Sequence, residues 1–258
     1  MHSPVSNFAK EIFTSIIEAS LRHSGSTRTP NMKVVLSGST GYIGGEVLRE
    51  CLNHPSITSV VILARRDPGN LDDNAKAKVM IVKDFTAYDE ATISEIRTAD
   101  ATIWCLGTMT GDERVDIEFP LAFINIIKTR PAGSKPFRFV QLSGALTEPP
   151  PADGQQPRAL WFYANGRRVR GLMEAKVLQT ADDVSPAEYS VYLVKPAGVA
   201  PNTMVGSLMR CAMGDSLSIP MIDLSVTIVD LAVNGNEQKV FSNREIMNYA
   251  RRLRERPT

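Results

Sequence analysis

The sequence predicts a doubly wound α/β fold, a parallel sheet with helices on both faces. Three observations carry this expectation. Near-continuous runs of β-branched and aliphatic residues alternate with helical patterns along most of the chain. The first such run passes directly into three glycines spaced G-x-x-G-x-x-G, at Gly38, Gly41 and Gly44. Later runs end on small or charged residues, the types that meet a ligand at the carboxyl edge of an open sheet. The length of 258 residues suits one large domain of this class with small appendages.

Composition narrows the function classes. With 43% hydrophobic and 22% charged residues, the chain can bury a full core. A formal charge of +1 gives no electrostatic reason to expect nucleic acid or an anionic membrane as partner. No run of 18 apolar residues exists, so no transmembrane helix is expected. The N-terminus also lacks the continuous apolar core of a signal peptide. The three cysteines, Cys51, Cys105 and Cys211, are scattered and odd in number. They argue against a disulfide framework and for a reducing, cytoplasmic setting. Histidine occurs only at 2, 23 and 54, which argues against a zinc site or a triad with a late histidine, so no metal is expected.

Ahead of the first strand, Phe8, Ile12, Ile16 and Ile17 recur at helical spacing. They predict an amphipathic helix over part of residues 1–31, followed by a polar link. Docking on the main domain or a second subunit is expected; Glu11 and Glu18 argue against a mitochondrial presequence, which is acid-poor. The opening strand spans Lys33 to Ser37, and the second, Ile57 to Ala64, ends in Arg65-Arg66. A third, Lys78 to Val82, leads to Asp84-Phe85, and a fourth, Ala101 to Leu106, opens into Gly107-Thr108. Phe137 to Leu142 is a fifth strand, ending Ser143-Gly144-Ala145. After an exposed Pro-rich loop, a helical pattern runs from Arg158 to Thr180, and Tyr189 to Val194 is a sixth strand closed by Lys195-Pro196. The expected organisation is an N-terminal helix and linker (1–31), a dinucleotide-binding domain (32–200) and a small segment (201–258) covering the open side of the site.

The glycine turn is the first candidate site. Glycines let the chain turn tightly and approach a ligand, and a helix N-terminus offers unpaired N–H groups to a pyrophosphate. Arg65 lies 21 residues beyond Gly44, close to the distance of about 20 at which such folds meet the adenosine ribose. An acid there binds a 2′-hydroxyl, whereas arginine accommodates a 2′-phosphate. The alternative is a pair of solvated arginines at a strand end. Asp84 and Phe85 are placed to contact adenine, although a loop acid and a core phenylalanine would look the same.

Taken in order, these pieces resemble the short-chain dehydrogenase/reductase superfamily, in its extended and atypical branches with a nucleotide-binding Rossmann sheet. The likeness covers roughly residues 32–200 and rests on SerGlySerThrGlyTyrIleGly, LeuAlaArgArg, LysAspPhe, CysLeuGlyThr, LeuSerGlyAla and LysProAlaGly at six successive strand ends. Small atypical members, including oxidoreductases of fungal polyketide pathways, look most similar. The resemblance implies NADP(H) at Gly38, Ser39, Thr40, Gly41, Tyr42, Ile43 and Gly44, with Arg65 and Arg66 at the 2′-phosphate. Asp84 and Phe85 would hold adenine, Leu106, Gly107 and Thr108 would line the cofactor, and Pro196 would close over the nicotinamide side. Pairing through helices into a homodimer is common in the superfamily.

Catalysis is where the chain departs from that pattern. The superfamily uses a serine after the fifth strand and a Y-x-x-x-K pair on the next helix, in which lysine binds ribose and lowers the tyrosine pKa. Ser143 matches the serine. Four residues beyond Tyr163 stands Arg167, not lysine, and the two residues are not interchangeable in shape. In a second register Arg170 takes the lysine position and Gly166 the tyrosine position, leaving no acid. On one continuous helix Tyr163, Arg167, Arg170 and Glu174 would share a face. The leading reading is an NADPH-dependent oxidoreductase acting on a carbonyl or hydroxyl of a small, polycyclic aromatic polyketide metabolite, with Ser143, Tyr163 and Arg167 catalytic. A non-redox enzyme on the same fold (dehydratase, isomerase or cyclase) and an NADP-binding regulator are the alternatives.

Overall fold

The computed structural model describes residues 31–255, apart from 70, 72–73, 132, 183–187 and 215. The helix expected before the first strand lies outside the described residues. From Met32 onward the chain forms one compact unit.

Its centre is a seven-stranded parallel sheet. The strands are β1 (Met32–Ser37), β2 (Ile57–Ala64), β3 (Ala77–Ile81), β4 (Ala101–Trp104), β5 (Phe137–Leu142) and β6 (Tyr189–Lys195). After a small pair, β7 (Gly198–Ala200) and β8 (Ser218–Pro220), β9 (Val240–Ser242) completes the sheet. The order is β3-β2-β1-β4-β5-β6-β9, the doubly wound arrangement in which strand order reverses between β1 and β4. Strands of this kind are buried on both faces, which is why they read as continuous apolar runs. Val34, Val35 and Leu36 of β1 are all fully buried, and alternate residues feed two separate cores.

Helices α1 (Tyr42–Asn53), α6 (Met221–Asn234) and α7 (Asn243–Glu255) cover one face. On the other face lie α2 (Glu90–Arg97), α3 (Phe119–Lys128) and α4 (Ala164–Asp182), around an aromatic cluster of Phe85, Trp104, Phe123 and Phe139. Asp89 caps α2 by accepting the Thr92 N–H at 2.7 Å. A π-helical turn, Arg114–Glu118, leads into α3. Helix α5 (Met204–Met213) stands between β7 and β8.

Two differences from the sequence reading have clear causes. Helix α4 begins at Ala164 rather than Arg158, because Tyr163 adopts a left-handed backbone (φ 47°) that no helix continues through. The last sixty residues also do more than cover a site. Strand β9 pairs with the edge of β6, Leu193 to Val240 and Lys195 to Ser242. Phe241 is buried edge-on against Tyr249 at 5.7 Å, and the Tyr249 hydroxyl donates to Asp230 at 2.6 Å. Arg254 adds a two-pronged pair to Asp223 at 2.9 and 3.1 Å. A three-residue strand is too short to announce itself by periodicity.

This integration predicts that Phe241→Ala lowers stability by about 3–5 kcal/mol in urea unfolding, the usual cost of emptying an aromatic core position. A loss below about 1 kcal/mol would mean a detachable C-terminal cover instead.

Candidate functional site

The glycine turn sits where the strand order reverses. Gly38 has φ +77°, and a Cβ there would lie 2.7 Å from the Cys105 carbonyl carbon and the Leu106 nitrogen. A Cβ on Gly44 would come within 2.0 Å of the Gly38 oxygen. Only glycine permits this double backbone contact. The Gly41 N–H donates to Gly38 O at 3.0 Å, and Gly41 then opens α1 with no side-chain cap. The first-turn N–H groups of α1 are therefore left for a ligand. Ser39 is buried, and its Oγ has no hydrogen-bond partner among the described residues, while Thr40 is exposed. Tyr42 is exposed, its hydroxyl 3.4 Å from the Val199 oxygen of β7, and Ile43 packs on the first core.

Beside this turn is a cleft of about 350 Å³, walled by Gly38, Ser39, Thr40, Arg65, Arg66, Phe85 and Leu106. Arg65 and Arg66 are exposed at the end of β2, and neither forms a hydrogen bond or ion pair among the described residues. Phe85 is 1% exposed, with its ring stacked on Phe119 at 5.5 Å, so it bounds the cleft as a fixed core residue. Asp84 lies just outside. Its carboxyl is held below its ordinary pKa by the Thr86 N–H, the Thr86 hydroxyl and the nearby Arg114, with which it pairs at 2.9 Å.

The loop after β4 is tied down by one buried acid, which nothing in the sequence marks. Asp116, in the π-helical turn, accepts the Thr108 N–H at 2.7 Å and the Thr108 hydroxyl at 2.5 Å. It also sits 3.0 Å from where a Gly107 Cβ would be. Arg170 reaches the same place from α4, donating to the Thr108 carbonyl at 2.7 Å, with its other terminal nitrogen beside Gly144. Its guanidinium thus bridges the carboxyl ends of β4 and β5.

Arg167 has a different task. It donates to the Leu146 carbonyl at 2.9 Å and approaches Glu148 at 3.6 Å, bracing the loop that follows β5. Tyr163, which precedes α4 instead of lying on it, is 64% exposed and packs edge-on against Phe162. The shared helix face expected of Tyr163, Arg167, Arg170 and Glu174 is therefore not formed. Two helical glycines explain how α4 approaches the site so closely. A Cβ on Gly166 would stand 2.3 Å from the Met109 oxygen, and one on Gly171 1.8 Å from the Glu148 oxygen. The tyrosine position of the second register has no room for a side chain.

Ser143 is buried at the end of β5. Its N–H donates to Val194 O at 2.8 Å, and Ala145 N–H donates to the carbonyl of the buried Pro196 at 2.8 Å. The Ser143 hydroxyl donates to Glu174 of α4 at 2.5 Å, and Lys195 Nζ pairs with the same carboxylate at 2.7 Å. Glu174 and Lys195 were not among the expected site residues. The signals available were the four-residue spacing from Arg170 to Glu174 and the position of Lys195 directly before Pro196. A second cavity, about 610 Å³, opens at Ala145 and is bordered by Asn243, Arg244, Asn248 and Arg251. Among the described residues no cluster of side chains could hold a metal ion, and no helix is long and apolar enough to cross a membrane.

No protein-family model matches the chain. Among curated proteins, Leucinostatins biosynthesis cluster protein T of Purpureocillium lilacinum is 29% identical over 76 residues, 30% of this chain and 28% of that protein. Protein FMP52, mitochondrial, of Candida albicans is 23% identical over 124 residues, 46% of this chain and 54% of its own. The matches thus span about a quarter and about half of those relatives. Three solved structures share the fold. The PhqB reductase domain of Penicillium fellutanum superposes with a TM-score of 0.60 at 14% identity, over 89% of this chain and 71% of that one. Gre2 of Candida albicans in complex with NADPH gives 0.58 at 13%, over 82% and 77%. The dTDP-glucose 4,6-dehydratase of Bacillus anthracis in complex with NAD gives 0.57 at 12%, over 88% and 82%. The likeness shows the fold, a doubly wound Rossmann sheet.

The close approach of α4 makes its own prediction. Gly166→Ala must displace the 107–111 loop and is expected to cost about 1–3 kcal/mol in chemical unfolding, the range for overpacking. An unchanged midpoint would show that α4 does not clamp this loop.

Proposed function

We propose that the chain is a nicotinamide-dependent oxidoreductase that interconverts a carbonyl and a hydroxyl on a small, polycyclic aromatic metabolite, with NADP(H) as cofactor. The observation that carries this reading is the cleft beside Gly38–Thr40. It joins an uncapped helix N-terminus to two arginines that are unpaired among the described residues, on the same carboxyl edge of the sheet at which Ser143 follows β5. The names of the relatives and neighbours support it: one belongs to a biosynthesis cluster, one is a reductase domain, and one is in complex with NADPH. The three free cysteines suit a reducing compartment such as the cytoplasm.

In this reading the Gly38–Gly44 turn holds the pyrophosphate, and the otherwise unpartnered Ser39 hydroxyl finds its acceptor there. Arg65 and Arg66 hold the 2′-phosphate, because a planar guanidinium binds phosphate in two-pronged fashion. Phe85 bounds the adenine end, with Asp84 at its rim. Leu106 to Thr108, stiffened by Asp116, line the inner wall, and Pro196 backs the nicotinamide side. Arg170 takes the ribose-holding place of the superfamily lysine. When bound, the cofactor supplies or accepts a hydride. Ser143 meets the substrate oxygen, and the cavity beyond Ala145 gives the rest of the substrate its space. Arg167 serves this site by stiffening the 146–148 loop. Tyr163, exposed and off the helix, is not the acid.

Three outcomes are expected. Calorimetry shows NADPH binding to the full chain, and absence of binding by both NADPH and NADH would end this reading. Arg65→Ala with Arg66→Ala lowers NADPH affinity by about tenfold or more and leaves NADH within about twofold, the signature of a lost charge-assisted phosphate contact. Tyr163→Phe keeps turnover within about threefold of wild type, whereas a hundredfold collapse with intact NADPH binding would restore it as the acid.

A further inference from the structure

Glu174 is a buried acid beside Ser143 to which the proposed function gives no task. It is 8% exposed on α4, one turn beyond Arg170. Its two oxygens accept three donors. Ser143 Oγ lies 2.5 Å from Oε1, while Lys195 Nζ at 2.7 Å and Thr147 Oγ1 at 3.1 Å share Oε2. A buried carboxylate persists only when it is paired and hydrogen-bonded, and here the ends of two strands and the following loop supply the partners. Three donors, one of them the Lys195 ammonium, meet the two acceptor oxygens. The cluster is centred on Glu174, and the backbone of Ser143 is fixed in turn by Val194.

This arrangement decides what Ser143 can offer a ligand. A serine hydroxyl has one proton and two lone pairs. With its proton committed to Glu174, Ser143 presents lone pairs and complements a substrate hydroxyl in preference to a carbonyl. A serine in such a position also connects that hydroxyl to a base.

We propose that Glu174 is the proton acceptor of this site, reached through Ser143, and that Lys195 is the positioning residue that holds its carboxylate. The proposal rests on the oxidoreductase reading and supplies the base that the broken tyrosine–lysine pattern lacks. In the oxidation direction the carbinol C–H bond breaks, and its electron pair leaves as hydride to an oxidised nicotinamide. The carbinol O–H bond breaks as its proton joins Ser143 Oγ, and the proton Ser143 already carried joins Glu174 Oε1. The carbonyl, a reduced nicotinamide and a neutral Glu174 result. Reduction runs each transfer backwards.

The test uses the full chain with acenaphthenol and NADP⁺, and with acenaphthenequinone and NADPH. Glu174→Gln keeps the size and one acceptor oxygen but cannot take the proton. It is expected to lower kcat by about a hundredfold or more while KM stays within about twofold, a split that general-base loss produces and simple loosening does not. Calorimetric NADPH affinity is expected to be unchanged. Glu174→Asp, which keeps the charge on a shorter arm, is expected to recover part of the rate, and Lys195→Met to lower kcat while sparing KM. A measurement on the wild type needs no variant to fold. With two protons in flight, rates in mixtures of light and heavy water bow below a straight line. A Glu174→Gln protein as fast as wild type, or a straight or flat solvent-isotope plot, overturns the assignment and leaves the oxidoreductase reading standing. A wild type that binds no nicotinamide nucleotide, or turns over neither probe, ends that reading first, and the assignment falls with it.

Discussion

The carboxyl edge of this sheet is built on how closely one backbone can approach another. At the point where strand order reverses, Gly38 lies against the peptide between Cys105 and Leu106, and Gly44 lies against the Gly38 carbonyl. A methyl group at either position would push β1, α1 and the β4 loop apart. The same constraint recurs at α4, where Gly166 and Gly171 let the helix press on the carbonyls of Met109 and Glu148. These contacts bring the loops after β1, β4 and β5 to one place. They also leave the α1 N-terminus uncapped and facing a cleft, which is the electrostatic basis for binding an anion there.

Charge is then distributed along α4 with a clear division. Arg167 faces the 146–148 loop, Arg170 bridges the ends of β4 and β5, and Glu174 is buried against Ser143 and Lys195. Three successive turns thus stiffen a loop, place a cation at the sheet edge and hold a carboxylate behind the serine. The helix has little overall amphipathic character because its inner face carries this polar work. Asp116 plays the matching part in the adjoining π-helical turn, where a buried carboxylate orders Thr108 and with it the loop 107–112.

The C-terminal residues are woven into the body they were expected to cover. Strand β9, with Phe241 against Tyr249, extends the sheet beyond β6, and α6 packs on the same face as α1. Strands β7 and β8 form a separate small pair, with Ala200 and Ile219 buried. Because Lys195 lies in the β6–β9 ladder, opposite Ser242, the final strand also steadies the residue that pairs with Glu174.

Much of this was legible from the chain alone, for local reasons. Parallel strands buried on both faces are mostly apolar, so β1, β2, β5 and β6 appear as predominantly apolar runs. A pyrophosphate turn must be glycine-rich, so Gly38, Gly41 and Gly44 marked the cleft, and strand-end spacing brought Arg65 and Arg66 to its rim. What tertiary structure decided was every pairing between distant segments. The left-handed backbone at Tyr163 removed it from α4, a feature no spacing rule detects. The choice between Arg167 and Arg170 at the sheet edge was made by the close packing at Gly171 and Gly166, which fixes how deep α4 lies. An added Cβ there would stand 1.8 Å and 2.3 Å from a carbonyl oxygen. Glu174 and Lys195 are 21 residues apart and meet only because α4 and β6 pack together. Sequence order carries the glycine turn, because that turn is made within one stretch of chain. The groups gathered around Ser143 come from three elements, and only their packing assembles them.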